Sequence, residues 1–221
     1  MDHGHGESVA GYEALAKKGD AVAMYELGLL LSESEPSEAK SWFERAAALG
    51  DARSAAILGQ RAWASDRAES RRWYEKAAAL GDSGSMVFLG HLSQGRDGAR
   101  AKRWFEQAAA LGDASGLYEM GRVYTAWEPA EARGYFEQAA QRGHTDAMVW
   151  LGILADREGD LAEGMRWYEE AAARGHPTAA GMVRMRRHTL GPGLLPWLAR
   201  VAHKIGRTIF TRRVPRRLRG W

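Results

Sequence analysis

The chain has 221 residues, 45% of them hydrophobic, with no cysteine and a formal net charge of +3. Such a length serves one or two domains, and the missing cysteines exclude a disulfide framework, a thiol nucleophile and a cysteine-ligated zinc site. No run of about 18 apolar residues is present to cross a membrane as a helix. The charge is unevenly divided: residues 184–221 carry 11 Arg or Lys and no acid, whereas residues 1–183 carry 20 basic and 28 acidic side chains. Two parts with opposite charge imply two tasks.

In chain order, residues 1–8 are expected to be a flexible N-terminus, and "MDHGHGESVAGYEAL" lacks the basic-then-apolar pattern of a signal peptide. His3, third from the amino end and near His5, offers a ligand set suited to Cu²⁺ or Ni²⁺. Short His-containing termini arise readily by chance, so no metal site is assigned. From residue 10 a repeat begins. "WFERAAALGD" (42–51) returns as "WYEKAAALGD" (73–82) and "WFEQAAALGD" (104–113), then as "YFEQAAQRGH" (135–144) and "WYEEAAARGH" (167–176). Glycines at 19, 50, 81, 112, 143 and 175 set a period of 31 residues, with one step of 32. A second series, Gly28, Gly59, Gly90, Gly121 and Gly152, keeps the same phase. A period of this length indicates stacked supersecondary units.

Each unit reads as two helices. In "DAVAMYELGLLLS" (20–32), Met24, Leu27 and Leu31 share one face, with Gly28 among them. A glycine inside a helix costs about 1 kcal/mol against alanine, which makes sense where a neighbour must pack closely. In "SEAKSWFERAAALG" (37–50), Trp42 or Phe43 supplies bulk, Ala46 and Ala47 supply flat contact surface, and Gly50 closes the helix. The strict phase of Trp42, Trp73, Trp104 and Trp167 predicts core packing. "AGYEALAKKGD" (10–20) is a half unit in second-helix register. "HPTAAGMVRMRRH" (176–188) is a half unit in first-helix register, with Arg184 in place of the glycine. Five full units between two halves are expected over residues 9–188, as an all-α solenoid of stacked antiparallel helix pairs.

The pattern "W-Y-E-x-A-A-x-x-G-x-x-x-A-x-x-x-L-G", clearest in "WYEKAAALGDSGSMVFLG" (73–90) and "WYEEAAARGHPTAAGM" (167–182), resembles the Sel1-like repeat, a relative of the tetratricopeptide repeat. The resemblance covers residues 10–188. It differs in a shortened loop between the paired helices, such as "SESEPSEA" (32–39). It implies a non-catalytic scaffold or adaptor whose partner is a protein or peptide segment held in a concave groove. By analogy with the tetratricopeptide arrangement, first-helix positions line that groove: Tyr25, Gln60, Trp63, His91, Gln94, Tyr118, Arg122 and Asp156, with Arg53 also facing inward. Trp63, Tyr118 and Arg122 are residue types favoured at binding hot spots. The Lys and Asn pattern of a chaperone-tail carboxylate clamp is missing.

The residues give no catalytic constellation. The glycines follow the repeat and form no phosphate loop, HExxH is absent, and Glu44, Glu75, Glu106, Glu137 and Glu169 recur in phase as solvated or inter-repeat contacts. His144 and His176 stand where Asp51, Asp82 and Asp113 stand elsewhere and are expected to be caps. No enzyme activity and no cofactor are expected.

After His188 the composition changes. Residues 189–193, with Gly191-Pro192-Gly193, read as a hinge. Residues 194–221 read as a separate basic amphipathic helix and tail. Trp197, Leu198 and Ile205 fall on its apolar side, Arg200, Lys204 and Arg207 on the other, with Arg212, Arg213, Arg216 and Arg217 beyond. This tail suits an anionic membrane surface, docking to protein, or nucleic-acid phosphates, in which case the large apolar face would be superfluous. The expected location is the cytoplasm, peripheral at the inner membrane face. A nucleic-acid-associated protein and an accessory subunit of an enzyme are the alternatives.

Overall fold

In the computed structural model, residues 3–188 are described, with side chains from Val9 onward. The expected hinge at 189–193 and tail at 194–221, with Trp197, Leu198, Arg200, Lys204, Ile205, Arg207, Arg212, Arg213, Arg216 and Arg217, lie outside the described residues, as do the side chains of His3 and His5. The helices are α1 (His3–Lys17), α2 (Ala21–Leu30), α3 (Pro36–Ala48), α4 (Ala52–Ala62), α5 (Arg67–Ala79), α6 (Ser83–Gln94), α7 (Gly98–Ala110), α8 (Ala114–Tyr124), α9 (Pro129–Gln141), α10 (Thr145–Arg157) and α11 (Leu161–Ala173). Residues 177–188 are also helical, and no strand occurs among the described residues. The pairs α2–α3, α4–α5, α6–α7, α8–α9 and α10–α11 match the five expected units, with half units before and after.

The joints between units explain the recurring "LGD". Gly19, Gly50, Gly81, Gly112, Gly143 and Gly175 all have φ between +77° and +95°, a left-handed backbone that favours glycine. At the first full joint the Asp51 N–H donates to the Ala46 carbonyl at 3.0 Å and the Gly50 N–H to the Ala47 carbonyl at 3.3 Å. This pair of bonds satisfies the orphan carbonyls at the end of α3. The same Asp51 then caps α4, accepting the Ser54 N–H at 2.7 Å. Asp20, Asp82 and Asp113 cap their helices in the same way. One residue thus ends a helix and starts the next.

Within each unit the second-series glycine meets an aromatic ring. A Cβ on Gly28 would lie 2.7 Å from Phe43, on Gly59 2.9 Å from Tyr74, on Gly90 2.3 Å from Phe105, on Gly121 2.6 Å from Phe136 and on Gly152 2.5 Å from Tyr168. Phe43, Phe105 and Phe136 are fully buried. The expected role of the tryptophans is therefore refined. Trp42 is buried, but Trp73, Trp104 and Trp167 are only half-buried. They sit one residue before the ring that fills the core, and a turn of about 100° per residue moves them to the shoulder of the helix. There the indole N–H of Trp42, Trp73 and Trp167 donates to Glu38, Glu69 and Glu163, four residues earlier in each case.

The chain divides into two compact units, one ending at Met120 and the other beginning at Gly121. In the first, Ala16, Met24, Leu27, Trp42 and Ala46 form one buried cluster, Phe43, Ala55, Leu58 and Ala77 the next, and Tyr74, Met86, Leu89 and Ala108 a third. In the second, Phe136, Met148, Leu151, Met165 and Tyr168 are buried. The buried side chains therefore recur repeat by repeat, as expected of an all-α solenoid of stacked helix pairs.

Candidate partner-binding face

The first helices of the first unit bring several of the expected groove residues together. Tyr25 of α2 is half-buried, its ring centroid 6.1 Å from that of Phe43. The Arg53 guanidinium of α4 lies 4.0 Å above Tyr25 and donates to Asp51 through Nη2 at 3.0 Å and Nε at 3.2 Å. Burial opposes ionisation of Asp51, but the Ser54 N–H and the Arg53 guanidinium outweigh it and hold the carboxyl below the usual aspartate range. Gln60 is exposed. Trp63, the C-cap of α4, meets Phe88 of α6 edge-on at 4.9 Å, and Phe88 in turn stacks on Tyr74 at 4.2 Å.

His91 of α6 is exposed, with Nδ1 3.5 Å from the Gln94 side-chain oxygen and Nε2 3.7 Å from Glu119. Glu119 is buried, and Tyr118 beside it is half-buried. Sequence reasoning missed Glu119, because nothing in its spacing distinguishes it from a surface glutamate.

In the second unit Arg122 is exposed, and Asp156 is engaged within the chain. Asp156 accepts the Tyr168 hydroxyl at 2.9 Å and both terminal nitrogens of Arg186, at 2.8 and 2.5 Å. Burial and the Asp156 carboxylate push the Tyr168 phenol well up. The bidentate pair fastens the 177–188 helix to α10, and Arg187 adds a bond to Glu169 at 2.7 Å. His144 and His176 are caps: each Nδ1 accepts a backbone N–H, from Ala147 at 3.3 Å and Ala179 at 3.1 Å. The remaining proton of His176 is then on Nε2, which donates to Asp146 at 3.0 Å. Of the recurring glutamates, Glu75 takes Arg100 of the next repeat at 2.8 Å, while Glu44 and Glu106 pair within their own helices.

Two further arginines, passed over in the sequence, border this face. Arg61 Nη2 donates to Ser32 Oγ at 2.7 Å and its guanidinium lies 5.2 Å from the Phe43 ring. Arg67 lies 3.4 Å over the Trp63 ring. Their positions carry a signal only in hindsight: Arg61 follows Ser32 by 29 residues, close to one repeat, and Arg67 follows Trp63 by four.

Stacked helix pairs presenting a varied row of side chains define a helical-repeat interaction protein. The Sel1 repeat model matches residues 14–51, 63–82, 84–113, 114–144 and 145–176, well over half of the chain, which therefore belongs to the Sel1 repeat family. Such repeats generally act as protein–protein interaction scaffolds. Among solved structures, a protective antigen of uropathogenic Escherichia coli with the same repeat fold superposes at a TM-score of 0.71 and 17% identity. The match covers 96% of this chain and 53% of that one, so this chain spans about half the length of that relative. A Sel1 repeat protein of Oxalobacter formigenes matches at a TM-score of 0.67 and 26% identity, over 76% of this chain and 78% of that one. An immunity protein of Pseudomonas aeruginosa matches at 0.55 and 19%, over 81% of each chain. Comparison with curated proteins gives no significant match.

Proposed function

We propose that this chain is a non-catalytic adaptor that holds a protein or peptide segment against the first-helix face of its N-terminal unit. The observation that carries the reading is the row Tyr25, Arg53, Gln60, Trp63, His91, Gln94 and Tyr118. It varies from repeat to repeat, whereas the glycine, aromatic and alanine positions behind it hardly change. Positions fixed by packing repeat, and positions free to vary are available for recognition. Aromatic and arginine side chains are the types that anchor interfaces. Arg122 extends the row in sequence. The basic tail at 194–221 is assigned to tethering: its apolar side suits acyl chains and its arginines suit anionic headgroups, at the inner face of a membrane on the cytoplasmic side.

The test of the groove is site-specific photo-crosslinking with the intact chain. A photoreactive residue at Gln60 is expected to capture a defined peptide segment of a partner. The same residue at Arg72, an exposed position on the second helix, is expected to capture none. Equal capture at both positions would remove the preference for the first-helix face.

A further inference from the structure

We infer that the face around Trp63 is built for an acidic peptide segment, with Arg61 and Arg67, which flank Trp63 in sequence, each receiving a carboxylate. This rests on the groove reading above and names the chemistry of its occupant. Both guanidiniums are positioned before any partner arrives. Arg61 is held by its bond to Ser32 Oγ, which itself donates to the Gly28 carbonyl at 2.6 Å. Arg67 is held over the indole, 3.4 Å from the ring centroid. Each is exposed, and neither has an acidic partner among the described residues. Of the other arginines on the first unit that stack on rings or cross between repeats, Arg53 is committed to Asp51 and Arg100 to Glu75, while Arg45 lies over Trp42 of the second-helix series, away from the row. Asp66, next to Arg67 in sequence, is spent on the N–H groups of Ala68 and Glu69, which hold its carboxyl below the usual range.

An ordered guanidinium with no acidic partner is a favourable donor site for a carboxylate, because less side-chain freedom is lost on binding. The two lie six residues apart in sequence, on either side of a half-buried Trp63 whose ring is braced by Phe88. A segment that carries separate carboxylates and an apolar side chain offers a partner to each kind of group: the charges to Arg61 and Arg67, and the apolar side chain to the aromatic pair of Trp63 and Phe88. A continuous phosphate backbone fits that arrangement poorly. The loop after Ser32 carries Glu33 and Glu35, and Glu38 follows in the first turn of α3; a hydrogen bond with Glu38, then its charge, raises the Glu35 carboxyl pKa. A polyanion running along the face would meet that loop, whereas two separate carboxylates need not.

The experiment measures anisotropy at physiological salt with the full chain. The probes are fluorescein-labelled peptides about a dozen residues long in which Glu alternates with Leu or Phe. A matched set carries Gln for Glu, and a thymidine oligonucleotide is the third probe. Binding of the Glu set over the Gln set, weakened about tenfold or more by the Arg61→Gln, Arg67→Gln double variant, is the expected result, since charged hydrogen bonds are the strong ones. The tail is the same in both proteins, so the difference reads the arginine pair. Both residues are exposed, and circular dichroism checks that the variant is folded. Equal affinity for the Glu and Gln sets, no binding of the Glu set, or unchanged affinity in the double variant overturns the assignment. So does an oligonucleotide preference lost in the double variant, which would make the face a nucleic-acid site. If the acidic preference fails while the Gln60 cross-link persists, the groove survives without it. If the cross-link is lost too, the groove reading falls with it.

Discussion

At the scale of the residue, the contact between glycine and aromatic ring decides what each repeat tolerates. Replacing Gly90 by alanine gains about 1 kcal/mol of helix propensity, but the new Cβ would stand 2.3 Å from Phe105, which is fully buried and cannot swing away. Overpacking of this kind costs about 1–3 kcal/mol. Gly90→Ala is therefore expected to lower stability in urea unfolding, and pairing it with Phe105→Leu to recover part of the loss. A gain in stability for the single variant would show that the ring has room. The sequence made these glycines visible through their phase. It did not show which of two adjacent aromatics they face, since Trp and Phe are both large and apolar. The 100° turn between neighbouring helix positions decides that question.

At the scale of the element, the helix joints carry a pH signature. Asp51 is depressed in the folded chain, so the unfolded chain binds more protons as pH falls through the aspartate range. Its contribution is fully present above the unfolded value, near pH 4, and is lost as pH drops through the lower folded value. Asp51→Asn keeps an N-cap but cannot titrate. It is expected to flatten the acid limb of a melting-temperature profile below about pH 4, and at pH 7 to lose only the part of the contribution that the charge supplies, since asparagine still caps the helix. Asp51→Ala loses the cap and is expected to cost about 1 kcal/mol at pH 7. An unaltered acid limb in Asp51→Asn would show that the cap charge contributes nothing. These joints were legible from "LGD" alone, because the turn needs glycine and the cap needs a short acceptor. His144 and His176 were readable as caps by position. The bond of Arg186 to Asp156, 30 residues away, was not, because it depends on how one helix lies on another and no local pattern records that.

At the scale of the whole molecule, the body and the tail answer different questions. Vesicle flotation of the intact chain against a form ending at residue 189, after nuclease treatment, tests the tether. The intact chain is expected to float with anionic lipid and to stay down with neutral lipid, while the shortened form stays down with both. Flotation of neither form with anionic lipid would discard the tether and make docking to protein or binding of nucleic acid the leading account of the tail. The body has a further property of its own. Its repeats share their packing positions and each second-series glycine meets a ring of its own repeat, so contacts reach no further than the unit itself and its neighbours. A copying error that adds or deletes one 31-residue segment would keep the glycine joints and the glycine–ring contact inside each remaining pair. The single 32-residue step has its extra residue between Gly152 and Tyr168, a stretch that turns through Gly159 at φ +84°. Inheritance can therefore lengthen or shorten such a chain by whole repeats without redesign, and single-residue length changes are absorbed at the turn inside a pair.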